Sequence, residues 1–243
     1  MIPFLKKGDK MKKKIYLLML IITSMFLLLN NLKKYEEEYI EPLVIENKPT
    51  YKEEIETLRK ENNNDDIIGT IEILNSTFKA PILQSVDNNY YLRRLPNKKY
   101  NINGSIFMDY RTNINTSKKI LIYGHNDNYL KMPFDILEEY YDKEFFENHK
   151  YLEIKSYENK LRKYEVFSVF VEYKDFSYMK VNYKDNEYIE HLNTLKNKSM
   201  HKTDIELNEN DNILMLQACS THPDYAKYSK KYVLVVFKEI KDF

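Results

Sequence analysis

The 243 residues can bury one substantial core with appendages, and 38 basic against 37 acidic side chains leave a net charge of +1, so no global field draws the chain to nucleic acid or an acidic polymer. Four glycines make a glycine-rich phosphate loop hard to build, and a single cysteine excludes an intramolecular disulfide framework. Partners must therefore be recognised by local sites.

Taken in order, the chain opens with Lys6, Lys7, Lys10, Lys12, Lys13 and Lys14 ahead of an uncharged run over residues 15–29. As a helix that run rises about 22 Å. A bilayer core is ~30 Å thick, so Asn30, Asn31, Leu32 and the flanking lysine stems must make up the difference. No small-x-small cleavage site follows, and the lysine cluster places the N-terminus in the cytoplasm with everything after Leu32 outside the cell membrane. The expected organisation is a lysine-rich cytoplasmic tip and single-pass, uncleaved anchor over 1–32, a stalk and N-terminal helix over 33–66, and the main domain over 67–243. In the stalk, Tyr35, Tyr39, Ile40 and Leu43 are sparse, and Pro42 and Pro49 set them apart from Ile55, Leu58 and Arg59, which have helical spacing. Asn62-Asn63-Asn64-Asp65-Asp66 is a turn-rich boundary.

Beyond it the signals are mostly strands. Residues 67–74, 81–84, 105–108, 119–123, 151–155, 163–173, 213–218 and 232–240 are short runs rich in β-branched or aromatic residues between polar turns. Eight such strands predict a mostly β protein built as a closed or nearly closed barrel. Helical patterns interrupt it at 134–140, 143–148 and 185–196, the last with Tyr188, Ile189, Leu192 and Leu195 on one face.

The last two strands frame the chemistry. One ends at Cys219 and the next begins behind Lys230 and Lys231, while an earlier strand stops at Gly124-His125. A thiol attacks a carbonyl only as thiolate, and its ordinary pKa of about 8.5 leaves a minor fraction ionised at neutral pH. A neighbouring imidazole takes the proton or stabilises the thiolate, and later protonates a leaving amine. A cation then meets the oxyanion. Cys219, His125 and either Lys230 or Lys231 fit these roles. His149, His191 and His201 sit among charged neighbours and read as solvated surface histidines. Cys219-x-x-His222 places a second imidazole near the thiol or makes half of a metal site, but no second Cys/His pair completes one, so neither metal nor cofactor is expected.

An ordered series of segments carries a family resemblance: Ile67-Ile68-Gly69-Thr70-Ile71, Ala80-Pro81-Ile82-Leu83-Gln84, Asp87-Asn88-Asn89-Tyr90-Tyr91-Leu92, Gly104-Ser105-Ile106-Phe107-Met108-Asp109, Ile122-Tyr123-Gly124-His125-Asn126, Met132-Pro133-Phe134-Asp135-Ile136-Leu137 and Tyr140-Tyr141-Asp142. Together with the cysteine strand they make the region from about Ile67 to Ile240 resemble a class B sortase, the membrane-anchored cysteine transpeptidases of Gram-positive bacteria. The resemblance implies an eight-stranded sortase barrel with an N-terminal helical extension and a helix inserted between the sixth and seventh strands. It also implies that Cys219 attacks a backbone carbonyl in the C-terminal sorting motif of a secreted protein, giving a thioester. An amine of peptidoglycan or its lipid-linked precursor then resolves it, with His125 as general acid and base.

Two departures stand out. The family pattern Leu-Ser-Thr-Cys is here Leu216-Gln217-Ala218-Cys219, and the arginine that the family places at the start of the last core strand is matched by Lys231, with no arginine after Arg162. Lysine keeps the charge and loses the planar fork. A catalytically weak or inactive module that binds a sorting peptide, and a thiol peptidase that releases peptide to water, therefore stand beside the transpeptidase.

Overall fold

The structure, a computed structural model, describes residues 5–37, 50–127 and 129–241. It divides into two compact units, Met1–Lys48 and Pro49–Phe243. The first contains helix α1, Leu5–Glu37. Its segment Met11–Asn31 is 21 residues long with mean hydropathy 1.6, long and apolar enough to cross a membrane. At 1.5 Å per residue that segment measures about 31 Å, so helical continuity through residues 11–14 at one end and Asn30 and Asn31 at the other supplies the length that the 15–29 run lacks. Within it Thr23 and Ser24 return their hydroxyls to the Met19, Leu20 and Ile21 carbonyls, which satisfies both donors on the apolar surface. The stalk positions Tyr39, Ile40, Pro42, Leu43 and Pro49 lie outside the described residues.

The second unit begins with helix α2, Tyr51–Asn62. Thr50 and Glu53 form a capping box at its start, and Asn63 ends it in the left-handed conformation at φ 47°. Its Ile55 is fully buried and contributes about 1.5–3 kcal/mol by leaving water.

Eight strands follow: β1 Ile67–Ile73, β2 Lys79–Leu83, β3 Phe107–Met108, β4 Lys119–Tyr123, β5 Tyr151–Ser156, β6 Leu161–Glu172, β7 Ile213–Cys219 and β8 Tyr232–Ile240. They close into a mixed barrel in the order β1-β2-β3-β4-β7-β8-β6-β5. The pairs β2–β3 and β4–β7 are parallel and the others antiparallel. Helices α3 (Ile136–Glu139) and α4 (Lys143–Asn148) lie in the connection from β4 to β5, and α5 (Asp185–Asn197) is inserted between β6 and β7. The expected strand over 105–108 shrinks to two residues because Ser105 turns its N–H to Tyr91 O and its hydroxyl to Arg94 O instead of a ladder.

Strands β4 and β7 read as continuous apolar runs because both their faces are covered. On one face Ile120, Ile122, Leu214 and Leu216 pack with Phe134 and Leu137. On the other, Leu121, Tyr123, Ile213 and Met215 pack with Ile55 and with Tyr188, Leu192 and Leu195 of α5.

Candidate active site

Side chains alternate along a strand, so the second face continues outward as Leu121, Tyr123, His125 on β4 and Met215, Gln217, Cys219 on β7. The ladder pairs Leu121 with Met215 and Tyr123 with Gln217. His125 and Cys219 each stand two residues past that last rung, on the same side, where the burying layer ends. Both line a pocket of about 250 Å³, together with Leu92, Met179, Gln217 and Tyr232. Gly124 donates its N–H to Gln217 O at 3.1 Å, and Asn126 Nδ2 donates to Cys219 O at 3.0 Å, so the two strand ends are tied on both sides of the histidine.

Glycine at 124 is a matter of space. A Cβ there would lie 2.6 Å from the Phe134 ring, which folds back because Phe134 N–H donates to His125 O. Across the pocket the 3-10 turn Tyr90–Arg93 brings Leu92 O to 2.7 Å from His125 Nε2. Gly104, at φ +59°, passes beneath that turn; a Cβ on it would meet Leu92 O at 2.6 Å.

Arg93 Nη1 also lies 2.7 Å from His125 Nε2 and donates to Ile102 O at 3.0 Å. A single ring nitrogen cannot serve both neighbours. Protonated, Nε2 donates to Leu92 O; deprotonated, it accepts from Arg93. Burial, and then the Arg93 charge, pull the imidazole below its ordinary pKa, while the Leu92 carbonyl acts the other way. Cys219 is solvent-exposed, yet the protein packed around its sulfur still pushes the thiol up. Lys231 and Arg93 oppose that shift and Asp127 adds to it. Both shifts favour the uncharged forms.

Lys231 precedes β8, beside the Cys219–Tyr232 rung, and its ammonium donates to Tyr228 O at 3.1 Å. Of the two lysines considered, it is the one whose charge acts on the thiol. His222 faces Tyr141 and Tyr225, with ring centroids 5.0 and 5.4 Å away. Among the described residues no group of three or more His, Cys, Asp or Glu is placed to hold a metal. The other three histidines are half-buried, not solvated. His149 stacks on Phe145, and His201 packs on Phe146 and reaches Tyr140 O. His191 meets the buried Lys119, and burial, then that charge, push its pKa down to about 3. The residue that sequence reasoning missed is Arg93. It directly follows the Tyr90-Tyr91-Leu92 segment, where paired arginines in a polar turn look like ordinary surface charge.

The Sortase domain model matches residues 70–238. Sortase B of Listeria monocytogenes is 35% identical over 180 residues, which cover 72% of this chain and 71% of the relative. Sortase B of Staphylococcus aureus is 33% identical over 187 residues, covering 74% and 73%.

The chain belongs to the class B sortase family.

Solved structures agree in fold. A Clostridium perfringens sortase B superposes with a TM-score of 0.67 at 32% identity, covering 76% of this chain and 98% of that one. A Staphylococcus aureus sortase B–substrate complex superposes at 0.69 and 30%, covering 80% and 88%. The family is one of cysteine transpeptidases that act on sorting-motif substrates. In this sortase the Gln217 that departs from the family pattern points into the pocket, where its Oε1 accepts from the Tyr178 hydroxyl at 2.9 Å.

Proposed function

We propose that this sortase joins secreted proteins to the cell wall through a thioester on Cys219, and the observation that carries the reading is that Cys219 and His125, each two residues past the last β4–β7 rung, line one pocket. Cys219 Sγ forms a bond to the backbone carbonyl carbon of a sorting motif as its proton passes to His125. The imidazolium then protonates the departing amine as the carbon–nitrogen bond breaks. A peptidoglycan amine, or one on the lipid-linked precursor, attacks the thioester carbon as its proton passes to His125; the carbon–sulfur bond breaks, the amide is released, and His125 returns the proton to the Cys219 sulfur. The oxyanion of each tetrahedral intermediate meets Lys231 on the β8 side and Arg93 on the turn side, so two cations share the work of the family's arginine. The Staphylococcus aureus enzyme solved with a substrate supports a peptide as the ligand of this pocket. The lysine cluster ahead of Met11–Asn31 supports an anchor with its N-terminus in the cytoplasm, a catalytic domain over 67–243 held outside, and a stalk between them. The near-zero net charge gives no support to a nucleic-acid partner.

The test incubates the full-length chain in detergent with a library of fluorescence-quenched pentapeptides, with and without a short amine-terminated peptide as acceptor. The expected product is amine-linked, and it disappears in Cys219→Ala and in His125→Ala. Cleavage with no amine-linked product would make the protein a thiol peptidase. A second reading, a peptide-binding module, draws support from the Lys231 ammonium, which is engaged by Tyr228 O and is not among the residues lining the pocket. Binding without cleavage in the same assay would establish it.

A further inference from the structure

Between β6 and α5 the chain crosses beside the pocket in the 3-10 turn Ser177–Met179, and Met179 forms part of the wall facing Cys219 and His125. A three-residue turn has no ladder to hold it. Here three successive carbonyls are taken by cations from the barrel instead. Lys119 Nζ donates to Tyr178 O at 2.5 Å and to Lys180 O at 2.9 Å, and Arg111 Nη2 donates to Met179 O between them at 3.0 Å. The Tyr178 hydroxyl is in turn held by Gln217 on β7.

The arrangement resists release for a physical reason. Lys119 is only 1% exposed and, among the described residues, touches no carboxylate; its remaining contacts are Tyr183 Oη at 2.9 Å and His191 Nε2 at 2.8 Å. A buried ammonium is costly unless its N–H groups are all bonded. Burial, then the Arg111 charge, hold the Lys119 pKa well below its ordinary value, but two of its partners are carbonyls of the turn, so lifting the turn away would leave buried N–H groups unbonded in either charge state. Arg111 is anchored by Asp109, to which it donates from Nε at 2.8 Å and from the same Nη2 at 2.7 Å, and Asp109 also accepts the hydroxyl of Tyr123 in the pocket wall. The turn is thus tied to β4, to β7 and to the loop that follows β3.

We propose that Lys119, Arg111 and Gln217 are positioning residues that fix Met179 as a wall of the peptide pocket, so that discrimination among substrate side chains depends on this clamp. The proposal rests on the peptide-transfer reading for its consequence, while the clamp itself is measured separately. With the best-cleaved member of the quenched pentapeptide library and full-length protein, Lys119→Met and Met179→Ala each raise KM about tenfold, with kcat within about twofold, and the double variant does no worse than either alone. Both variants also broaden cleavage across the library. Arg111→Lys keeps a charge for Asp109 but cannot span to Met179 O, and raises KM by about threefold. Amide exchange over residues 177–181 accelerates in Lys119→Met and in Arg111→Lys.

Unchanged exchange in both cation variants overturns the clamp. Faster exchange with unaltered KM and selectivity, or a loss confined to kcat, overturns its role at the pocket. If Lys119→Met does not fold, Arg111→Lys and Met179→Ala carry the same comparison. A wild-type chain that cleaves no library member defeats the transfer reading, and the exchange measurement still decides whether the cations hold the turn.

Discussion

On the strand side of the pocket, His125 and Cys219 are placed by the β4–β7 ladder, whose hydrogen bonds also close the barrel. On the turn side, Leu92, Arg93 and Met179 stand on 3-10 turns, and side chains reaching in from elsewhere hold them. The first wall cannot shift without opening the sheet, whereas the second can be loosened one hydrogen bond at a time. Chemistry that needs a fixed sulfur-to-imidazole geometry is built on the first, and contacts that set fit and charge are supplied by the second.

The hardest way to disturb the strand side without touching its reactive atoms is Gly124→Ala. The added methyl would sit 2.6 Å from the Phe134 ring, so either the ring or the strand end must move. Misplacing the imidazole by about 1 Å costs on the order of 100-fold in turnover, and overpacking costs about 1–3 kcal/mol of stability. Turnover and thermal unfolding measure the two. Gly124→Ala combined with Phe134→Leu should recover most of both, and failure to recover would mean that the glycine serves something other than the ring.

On the turn side the matching change is Gly104→Ala. A side chain at φ +59° is strained by about 1–2 kcal/mol, and the methyl would press on Leu92 O. The Leu92 carbonyl raises the His125 pKa, so displacing it should lower that pKa further; imidazole titration by NMR reads the shift. Turnover should fall about tenfold, equivalent to roughly 1.4 kcal/mol, less than for the strand-side glycine. Equal losses at the two glycines would erase the distinction between the walls.

How much of this was legible in the sequence follows the same division. Short continuous apolar runs, Ile120-Leu121-Ile122-Tyr123 and Ile213-Leu214-Met215-Leu216, bounded by polar turns, locate the barrel strands, and the Gly-His and Cys ends of those runs identify the pair that the ladder then aligns. Helix α5 is readable from Tyr188, Leu192 and Leu195. The turn wall is not readable in this way. Arg93 and Met179 belong to no periodic pattern, and what positions them are bonds to backbone carbonyls far along the chain, which side-chain identity does not encode. His191 illustrates the failure. It lies one helical turn from the buried Tyr188, yet its charged neighbours suggested a solvated surface, because Lys119, which reads as the polar start of a strand, turns inward to meet it.

The finest comparison between the walls is electrostatic and uses the thiol as its own probe. Alkylation of Cys219 by iodoacetamide follows the thiolate fraction, so its rate rises as pH passes through the thiol pKa, which burial places above the ordinary value. Lys231, from the strand side, and Arg93, from the turn side, both lower that pKa. Lys231→Ala and Arg93→Ala should therefore each move the alkylation profile to higher pH, with slower reaction at pH 8, and Lys231→Arg should leave it near the wild-type position. Asp127 raises the pKa, so Asp127→Asn should move the profile the other way. Its shift should be the smallest, since Asp127 is the weakest of the three charges acting on the sulfur and is itself exposed to solvent. A Lys231→Ala profile that coincides with wild type, beside an Arg93→Ala profile that moves, would place the working cation on the turn wall alone.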